Sequence, residues 1–269
     1  MLKRLFLAVC VFTFLANAIL FADARDYLAP EGSTFTFQVT AEGDNGGRTP
    51  ILEPMNVDSY TETHTAKGIV SIYPKGENGK ELTEYGQYEA SHIQIVRPDV
   101  YDVITDWYYG IIDNSLTLYY QENSQGDRQA FFYPEEFIIV HFPLEPGYSF
   151  TSSDETPFYL NLTNTGISIA PHYESSNYES DEGALETTID GLRTVQTPAG
   201  TFECYPVTFV LTTDTGSFIT AADTEITTTR CWSPDLGYFV TEDTHVFMNA
   251  MVDSEATIHK ELSSYELAQ

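Results

Sequence analysis

Apolar and polar residues alternate with a period of two along most of the chain, and the period of a helix is almost absent. In the stretch "STFTFQVTAE", Phe35, Phe37 and Val39 alternate with Thr and Gln. Alternation of this kind is typical of strands that bury one face. The pattern therefore predicts an all-β protein, built as a curved antiparallel sheet, a half-open barrel or a sandwich.

Further strands are predicted between loops marked by Gly and Pro. A short strand over residues 69–73 is followed by the turn "PKGENGK", and "GQYEASHIQIV" forms the next strand. We expect two or three strands in "YDVITDWYYGIIDNSLTLYYQE", with turns near Gly110 and Asn114. The acidic stretch 173–183 is predicted as a loop, and "ATIHKELSSYELA" as either a last strand or a short helix.

The first 24 residues have the layout of a secretory signal peptide. Lys3 and Arg4 precede an apolar run over residues 5–21, and Ala22-Asp23-Ala24 offers a cleavage site with small residues at both ends. An uncleaved anchor is the alternative, although the run lies near the lower limit for a membrane span. We expect residues 25–269 to form one β-rich domain without a transmembrane segment, and a division into two domains near residues 172–183 is the alternative. The expected location is the periplasm, the cell surface or the outside of the cell.

The stretch "TPAGTFECYPVTFV" combines a turn with the strand that follows it. Pro198 suits the second position of a β-turn, and Gly200 can adopt the positive φ that such a turn needs. Alternation along the strand then directs Val207 and Phe209 toward the core. Pro206 cannot donate a ladder hydrogen bond, so it indicates an edge strand or a bulge.

Two cysteines, Cys204 and Cys231, remain once the predicted signal peptide is removed. An even number of cysteines in an exported protein predicts a disulfide. If "DTEITTTRCW" pairs antiparallel with the preceding strand so that the two cysteines oppose each other, Phe209 lies opposite Ile226. The bond would close a loop of about 28 residues and contribute roughly 3–4 kcal/mol in the chain-entropy account.

Four short motifs resemble those of uncharacterised bacterial secreted or lipid-anchored proteins: "TPAGTFECY", "CWSPDLGYFV", "YLAPEGSTFTF" and "FPLEPGYSF". Phe35 and Phe150 stand where that family's pattern has tryptophan. The motifs are spread over most of the mature chain. The resemblance implies a β-rich envelope domain with a curved sheet or half-open barrel like that of lipoprotein carriers. It implies no established chemistry and no catalytic residues.

Charge and motifs restrict the classes of function. The formal net charge of −28 disfavours nucleic acid and anionic membranes as partners. The sequence has no HExxH, no zinc-type Cys/His spacing, no G-x-S-x-G and no Walker loop. We therefore predict no catalytic residues, no metal site and no cofactor.

Aromatic residues are concentrated between residues 107 and 133. Because neighbouring side chains in a strand face opposite ways, one set can fill the core while the other lines a cavity. Packing in the core alone is the simpler alternative. The candidate ligand-binding residues are Trp107, Tyr109, Tyr119, Phe132 and Trp232.

Three hypotheses about function follow. The leading one is a non-enzymatic envelope or secreted binding module that holds an apolar small molecule in a half-barrel. The second is a structural or partner-binding surface protein that contacts an envelope protein. The third is a hydrolase whose carboxylates are dispersed in the sequence. A closed, lined cavity favours the first, exposed apolar patches favour the second, and two convergent carboxylates, one with a raised pKa, favour the third.

Overall fold

The computed structural model describes residues 23–43, 59–73, 83, 86–98, 101–123, 129–131, 137–152, 156–158, 160–163, 166–169, 181–214, 223–249 and 254–269. Residues 1–22, which hold most of the predicted signal peptide, lie outside this set. Within the described ranges, no helix is both long enough and apolar enough to cross a membrane.

The described regular structure consists of one short 3-10 helix, η1 (Ala24–Tyr27), and seventeen strands. The strands are β1 (Thr34–Gly43), β2 (Ser59–Ile72), β3 (Tyr88–Arg97), β4 (Tyr101–Ile112), β5 (Ser115–Asn123), β6 (Gln129–Phe131), β7 (Ile138–His141), β8 (Ser149–Thr151), β9 (Thr156–Phe158), β10 (Leu160–Thr163), β11 (Gly166–Ile169), β12 (Asp181–Ile189), β13 (Arg193–Thr197), β14 (Gly200–Asp214), β15 (Asp223–Ser233), β16 (Tyr238–Asn249) and β17 (Ser254–Glu266).

Fifteen of these strands form one antiparallel sheet that is nearly closed as a barrel. The order is β6-β5-β4-β3-β2-β1-β17-β16-β15-β14-β12-β8, with β13 beside β14, β7 beside β5 and β9 beside β12. The strands β10 and β11 form a separate pair. Most neighbours are consecutive in the sequence; the exceptions are the pairs β1 with β17, β12 with β14, β8 with β12, β9 with β12 and β5 with β7. The predicted all-β antiparallel fold is confirmed, and among the expected forms it is the barrel.

The segment from β7 to β8 connects the two ends of this sheet. The strand β7 pairs with β5 near one end, and the carbonyl of Ile138 in β7 accepts a hydrogen bond from the hydroxyl of Thr187 in β12. The next strand, β8, pairs with β12 at the other end. The interior is therefore enclosed by hydrogen bonds at the place where the sheet would otherwise remain open.

The "TPAG" turn is confirmed. Thr197 pairs with Gly200, so Pro198 and Ala199 form the two-residue connection between β13 and β14. The Ala199 N–H donates to the hydroxyl oxygen of Thr197 at 3.2 Å. Gly200 has a φ of +142°, in the range that glycine adopts most easily.

The predicted core face of β14 is confirmed in its second half, where Val207 and Phe209 are buried. In the first half the buried positions are Cys204 and Pro206, so the buried face changes between Pro206 and Val207. The change coincides with the partner strand, since β14 pairs with β13 up to Cys204 and with β12 from Val207 onward. Pro206 thus lies at a break in the neighbouring ladder and not on an outer edge.

A disulfide joins Cys204 to Cys231, with a Cα–Cα distance of 5.3 Å, but the predicted register is wrong by two residues. Cys231 lies opposite Pro206, and Ile226 lies opposite Leu211. The cysteines are therefore diagonal neighbours, a separation that disulfide geometry accommodates. Ten consecutive pairs between β14 and β15 set the register, and they outweigh the preference for placing the cysteines face to face.

Four further predictions about strands and loops are corrected or resolved. The strand expected over residues 69–73 is the end of the much longer β2. Gly110 is not a turn residue, because it lies within β4 and pairs with Ala90 and Thr117. The C-terminal segment is the strand β17 and not a helix. Of the predicted acidic loop, residues 181–183 belong to β12, and residues 173–180 lie outside the described set.

Candidate ligand cavity and charged network

A cavity of about 440 Å³ lies between the N-terminal segment and the interior of the sheet. This volume falls in the range of roughly 300–1,000 Å³ that is typical of small-molecule sites. Its lining is formed by Arg25, Leu28, Ala29, Pro30, Glu31, Ala66, Gly68, Ile69, Ser91, Ile93, Tyr109, Leu116, Ile139, Arg230, Trp232, Gly237, Tyr238 and Phe239. Apolar and aromatic side chains make up most of this lining.

The segment 25–31 forms one wall of the cavity and is fixed to the strands beside it. The Ala29 N–H donates to the carbonyl of Gly237 at 3.1 Å. A Cβ on Gly237 would lie 2.5 Å from the Ala29 nitrogen, and the φ of Gly237 is +62°, so the close approach requires glycine. Just after this segment, the Gly32 N–H donates to the carbonyl of Ala66 in β2 at 2.8 Å. Arg25 pairs with the exposed carboxylate of Glu89 in β3.

An aromatic cluster, defined here as Phe35, Phe37, Trp232, Tyr238 and Phe239, fills the barrel interior beside the cavity. Phe35 stacks on Tyr238 with ring centroids 4.6 Å apart, and Phe37 stacks on Phe239 at 4.9 Å. Trp232 contacts Tyr238 at 6.0 Å between centroids. Since Trp232, Tyr238 and Phe239 line the cavity, the cluster forms one side of it.

The indole nitrogen of Trp232 is a buried hydrogen-bond donor without an acceptor in the described part of the chain. The residue is 4% exposed, and its indole Nε1 has no hydrogen-bond partner among the described residues. Buried donors of this kind are rare, because leaving one unpaired costs about 1–3 kcal/mol.

A charged network of Glu62, His64, Arg97, Arg230, Glu242 and Lys260 spans β2, β3, β15, β16 and β17. Its first part is centred on Glu62, whose side chain is fully buried. Glu62 Oε2 accepts from Arg97 Nε at 2.9 Å, and Oε1 accepts from Lys260 Nζ at 2.9 Å. His64 also bonds Glu62, through Nε2, and its Nδ1 lies 2.8 Å from the hydroxyl of Tyr238.

The second part of the network is centred on Glu242. Its Oε1 lies 3.0 Å from Lys260 Nζ, and its Oε2 accepts from Arg230 Nε at 2.6 Å. The Arg230 guanidinium lies 5.0 Å from the ring centroid of Phe239, where the ring face attracts a cation. Arg230 also donates through Nη1 to the hydroxyl of Tyr109 at 3.5 Å. Because Arg230 lines the cavity, the network ends there.

The pKa values in the network follow from burial and pairing. Burial alone would raise the pKa of the Glu242 carboxyl, but Lys260 and Arg230 lower it to about 2. Burial likewise opposes ionisation of Glu62, yet Lys260 and Arg97 hold its pKa well below the ordinary value. Burial lowers the pKa of His64, and Glu62 only partly offsets this effect. At neutral pH the carboxylates are therefore charged and His64 is neutral.

The carboxylates of Glu62 and Glu242 converge on Lys260, and a pair of converging carboxylates is what the hydrolase hypothesis calls for. Their pKa values, however, are not those of a hydrolytic pair. Both pKa values are lowered, whereas a general acid needs a raised one. By this criterion, Glu62 and Glu242 give no support to the hydrolase hypothesis. In the part of the chain that the structure describes, no group of three or more His, Cys, Asp or Glu side chains is placed to hold a metal ion.

The structure brings two of the five candidate ligand residues, Tyr109 and Trp232, to the cavity. Trp107 is not among the described lining residues, and its ring stacks on Tyr109 with centroids 5.9 Å apart. The side chain of Tyr119 and all of Phe132 lie outside the described residues.

Sequence reasoning missed Arg230 and the charged network. The stretch "SYTETHTAK" did carry a signal, since Thr occupies every second position from Thr61 to Thr65 and is a strong strand former. The intervening Glu62 and His64 are polar, so a search for alternating apolar residues does not detect their burial.

Comparisons with known proteins show little similarity. No protein-family model matches the chain, and no curated protein matches it. A protein with a YmcC-like fold from Bacteroides fragilis NCTC 9343 is 11% identical with a TM-score of 0.34, covering 89% of this chain and 98% of that one. The hypothetical lipoprotein YmcC from Escherichia coli K12 is 10% identical with a TM-score of 0.34, covering 88% and 89%. At these values the similarity carries no conclusion about function.

Proposed function

We propose that this chain is an exported, non-enzymatic binding module whose barrel interior holds an apolar small molecule. The observation that carries the proposal is the cavity of about 440 Å³, which lies between the sheet on one side and the segment 25–31 on the other. Its lining is largely apolar with a few polar groups, which is the composition typical of small-molecule sites.

Two features support export. The disulfide between Cys204 and Cys231 is of a kind that persists in oxidising compartments and is rare in the cytosol. The predicted signal peptide over residues 1–24 agrees with this location. In this proposal the mature protein is one β-rich domain over residues 25–269, in the periplasm, at the cell surface or outside the cell.

Native mass spectrometry of the protein purified from its own exported fraction tests the proposal. We expect a native mass above that of the denatured chain, with the extra mass lost on denaturation. A native mass equal to that of the bare, disulfide-bonded chain would count against a carried ligand.

A matched pair of variants shows whether the cavity is the binding site. Ser91→Leu adds volume to the cavity lining, and Ser264→Leu makes the same chemical change at an exposed position of β17. We expect the first variant to lose most of the extra mass and the second to keep it. Equal retention by both would place the ligand elsewhere.

A further inference from the structure

The two residues that precede the cavity wall belong to the folded domain. Ala24 is fully buried and is part of the apolar core. Its N–H donates to the carbonyl of Asp113, in the turn between β4 and β5, at 3.4 Å. A chain that began at Arg25 would lack this side chain and this hydrogen bond, and both connect the segment 25–31 to the barrel.

Asp23 stabilises the first turn of η1 through its backbone and its carboxylate. Its Oδ1 accepts from the Arg25 N–H at 3.0 Å, and its own N–H donates to Oδ2 of Asp26 at 3.3 Å. The Asp23 carboxylate also pairs with the guanidinium of Arg25. Caps of this kind satisfy backbone N–H groups that a first turn leaves without partners. Without Asp23, Arg25 would carry a terminal ammonium beside its own guanidinium and would lose this carboxylate.

The sequence offers a second cleavage site upstream of these residues. Ala16-Asn17-Ala18 has small residues at both ends, as Ala22-Asp23-Ala24 does. A cut after Ala18 leaves the run 5–15 as the apolar core of the signal peptide, which is within the roughly 7–15 residues typical of such a core. A cut after Ala24 requires the longer run 5–21.

We propose that the signal peptide ends at Ala18, so that the mature chain begins at Ile19 and keeps Asp23 and Ala24. The structure requires a cut before Asp23, and the small residues in the sequence place it. Ala22 does not fit as the last residue of the signal peptide, because Leu20 occupies the position that calls for a small side chain. This inference shares only export with the proposed function, and it extends the mature chain by residues 19–24.

Retention of Asp23 and Ala24 also holds the cavity wall in place. The far end of the segment 25–31 is bonded to the barrel through Ala29 and Gly237. At the near end, the links that would survive a cut after Ala24 include the ion pair of Arg25 with Glu89 and the stacking of Tyr27 on Phe142. An exposed ion pair contributes little. The buried Ala24 and its hydrogen bond to Asp113 therefore anchor the near end of the wall.

The N-terminus of the protein purified from its own exported fraction tests the proposal directly. It is read by N-terminal sequencing and by the intact mass of the denatured, reduced chain. We expect Ile19 as the first residue and the mass of residues 19–269. A first residue of Arg25, the mass of the whole chain or any other start would overturn the proposal.

Two variants make the same change at equivalent positions of the two sites. Ala16→Leu places a large residue at the third position before the bond that follows Ala18, and Ala22→Leu does so before the bond that follows Ala24. We expect Ala16→Leu to reduce the fraction of chains cut after Ala18 severalfold, and Ala22→Leu to leave that fraction unchanged. The reverse result, or equal processing of both variants, contradicts the assignment.

Unfolding in urea tests the structural ground separately. Three chains are compared with their disulfide formed, beginning at Ile19, Asp23 and Arg25. We expect the first two to unfold at the same urea concentration and the third to unfold at a lower one or to fail to fold, because it lacks the cap and the buried Ala24. Equal midpoints for the chains that begin at Asp23 and Arg25 would remove the reason for placing the cut before Asp23.

These results are independent of the carried ligand. A chain that begins at Ile19 without extra native mass would support the cleavage site and count against the proposed ligand. A chain that begins at Arg25 with extra native mass would do the opposite.

Discussion

The aromatic cluster and the charged network occupy the same barrel interior but depend on their neighbours in different ways. In the aromatic cluster, Phe35 and Phe37 are fully buried and contact other rings. Each ring contributes through the apolar surface it removes from water, whichever apolar group covers it. In the charged network, Glu62 is equally buried, but it is stable there only because cations and His64 saturate its carboxylate.

The interior is therefore more sensitive to substitution in the charged network than in the aromatic cluster. Apolar groups can be trimmed with a loss in proportion to the surface and volume removed. Removing one charge from the network leaves its partners buried without compensation, so the loss exceeds that of the single contact. His64 lies at the boundary, since it bonds Glu62 and its ring contacts Phe37 with centroids 4.9 Å apart.

The largest effect is expected for Glu62→Gln. The amide keeps the shape of the side chain, but Arg97 and Lys260 both lose a buried negative partner. We expect the free energy of unfolding, measured in urea at pH 7, to fall by about 3–5 kcal/mol. The control is Glu255→Gln, whose side chain is 60% exposed and paired with His245, and a change within about 0.5 kcal/mol is expected there. Similar losses in both variants would show that burial of the network does not matter.

The second largest effect is expected for the covalent link between β14 and β15, of which β15 carries Arg230 and Trp232 of the cavity lining. Replacing Cys204 and Cys231 together by Ala should lower the free energy of unfolding by about 2–4 kcal/mol, because the unfolded chain regains the freedom of the closed loop. Unfolding of the variant in urea is compared with that of the oxidised wild-type protein. A thiol assay on the native mature protein should find no free cysteine, and two free cysteines would refute the disulfide.

The apolar part of the interior could be predicted from the sequence, and the charged part could not. The aromatic part was predictable, since Phe35, Phe37 and Val39 alternate with polar residues in β1 and all three are buried. The strand β2 was recognised only at its end, because its buried residues over the first half include Glu62 and His64. Alternation marks a buried face only when that face is apolar.

Contacts that join distant parts of the chain were not predictable. The cavity joins the segment 25–31 to β15 and β16, which lie about two hundred residues later in sequence, and no local pattern reports such a contact. The disulfide followed from cysteine counting, but its register did not, because it depends on all ten pairs between β14 and β15. Trp232 was a predicted ligand residue because of its aromatic ring. That its Nε1 has no hydrogen-bond partner among the described residues depends on neighbours from distant parts of the chain, which the sequence does not show.

The contribution of the aromatic cluster alone to the free energy of unfolding is measured with Phe37→Leu. Phe37→Leu keeps an apolar side chain but loses the stacking on Phe239 and part of the buried volume. We expect a loss of about 1–2 kcal/mol, below the cost of full truncation to Ala. Since no charge is removed, the loss measured by urea unfolding should be the same at pH 7 and pH 5. A loss that grows at the lower pH would show that the ring supports the charged network as well as the apolar interior.

The smallest effect is expected for His64, which contacts both the charged network and the aromatic cluster. Burial lowers the pKa of His64 below its ordinary value of 6.5, so below pH 6.5 the unfolded chain binds this proton more readily than the folded one. The contribution of His64 to the free energy of unfolding should therefore fall as the pH drops from 6.5 to 5; His141, whose pKa burial also lowers, adds to this decline, and His259, in which burial lowers the pKa less than the bonds to Asp243 and Glu261 raise it, opposes it.

Replacing the histidine isolates its contribution. Glu62 and Glu242, with their lowered pKa values, add their own losses only below about pH 4.5, so they do not obscure this window. In His64→Gln the decline between pH 6.5 and 5 should be smaller by about 1 kcal/mol, since one titrating group is gone. Phe37→Leu serves as the control and should retain the wild-type slope. An unchanged slope in His64→Gln would mean that the imidazole binds its proton equally well in the folded and the unfolded chain, so that burial in the barrel does not lower its pKa.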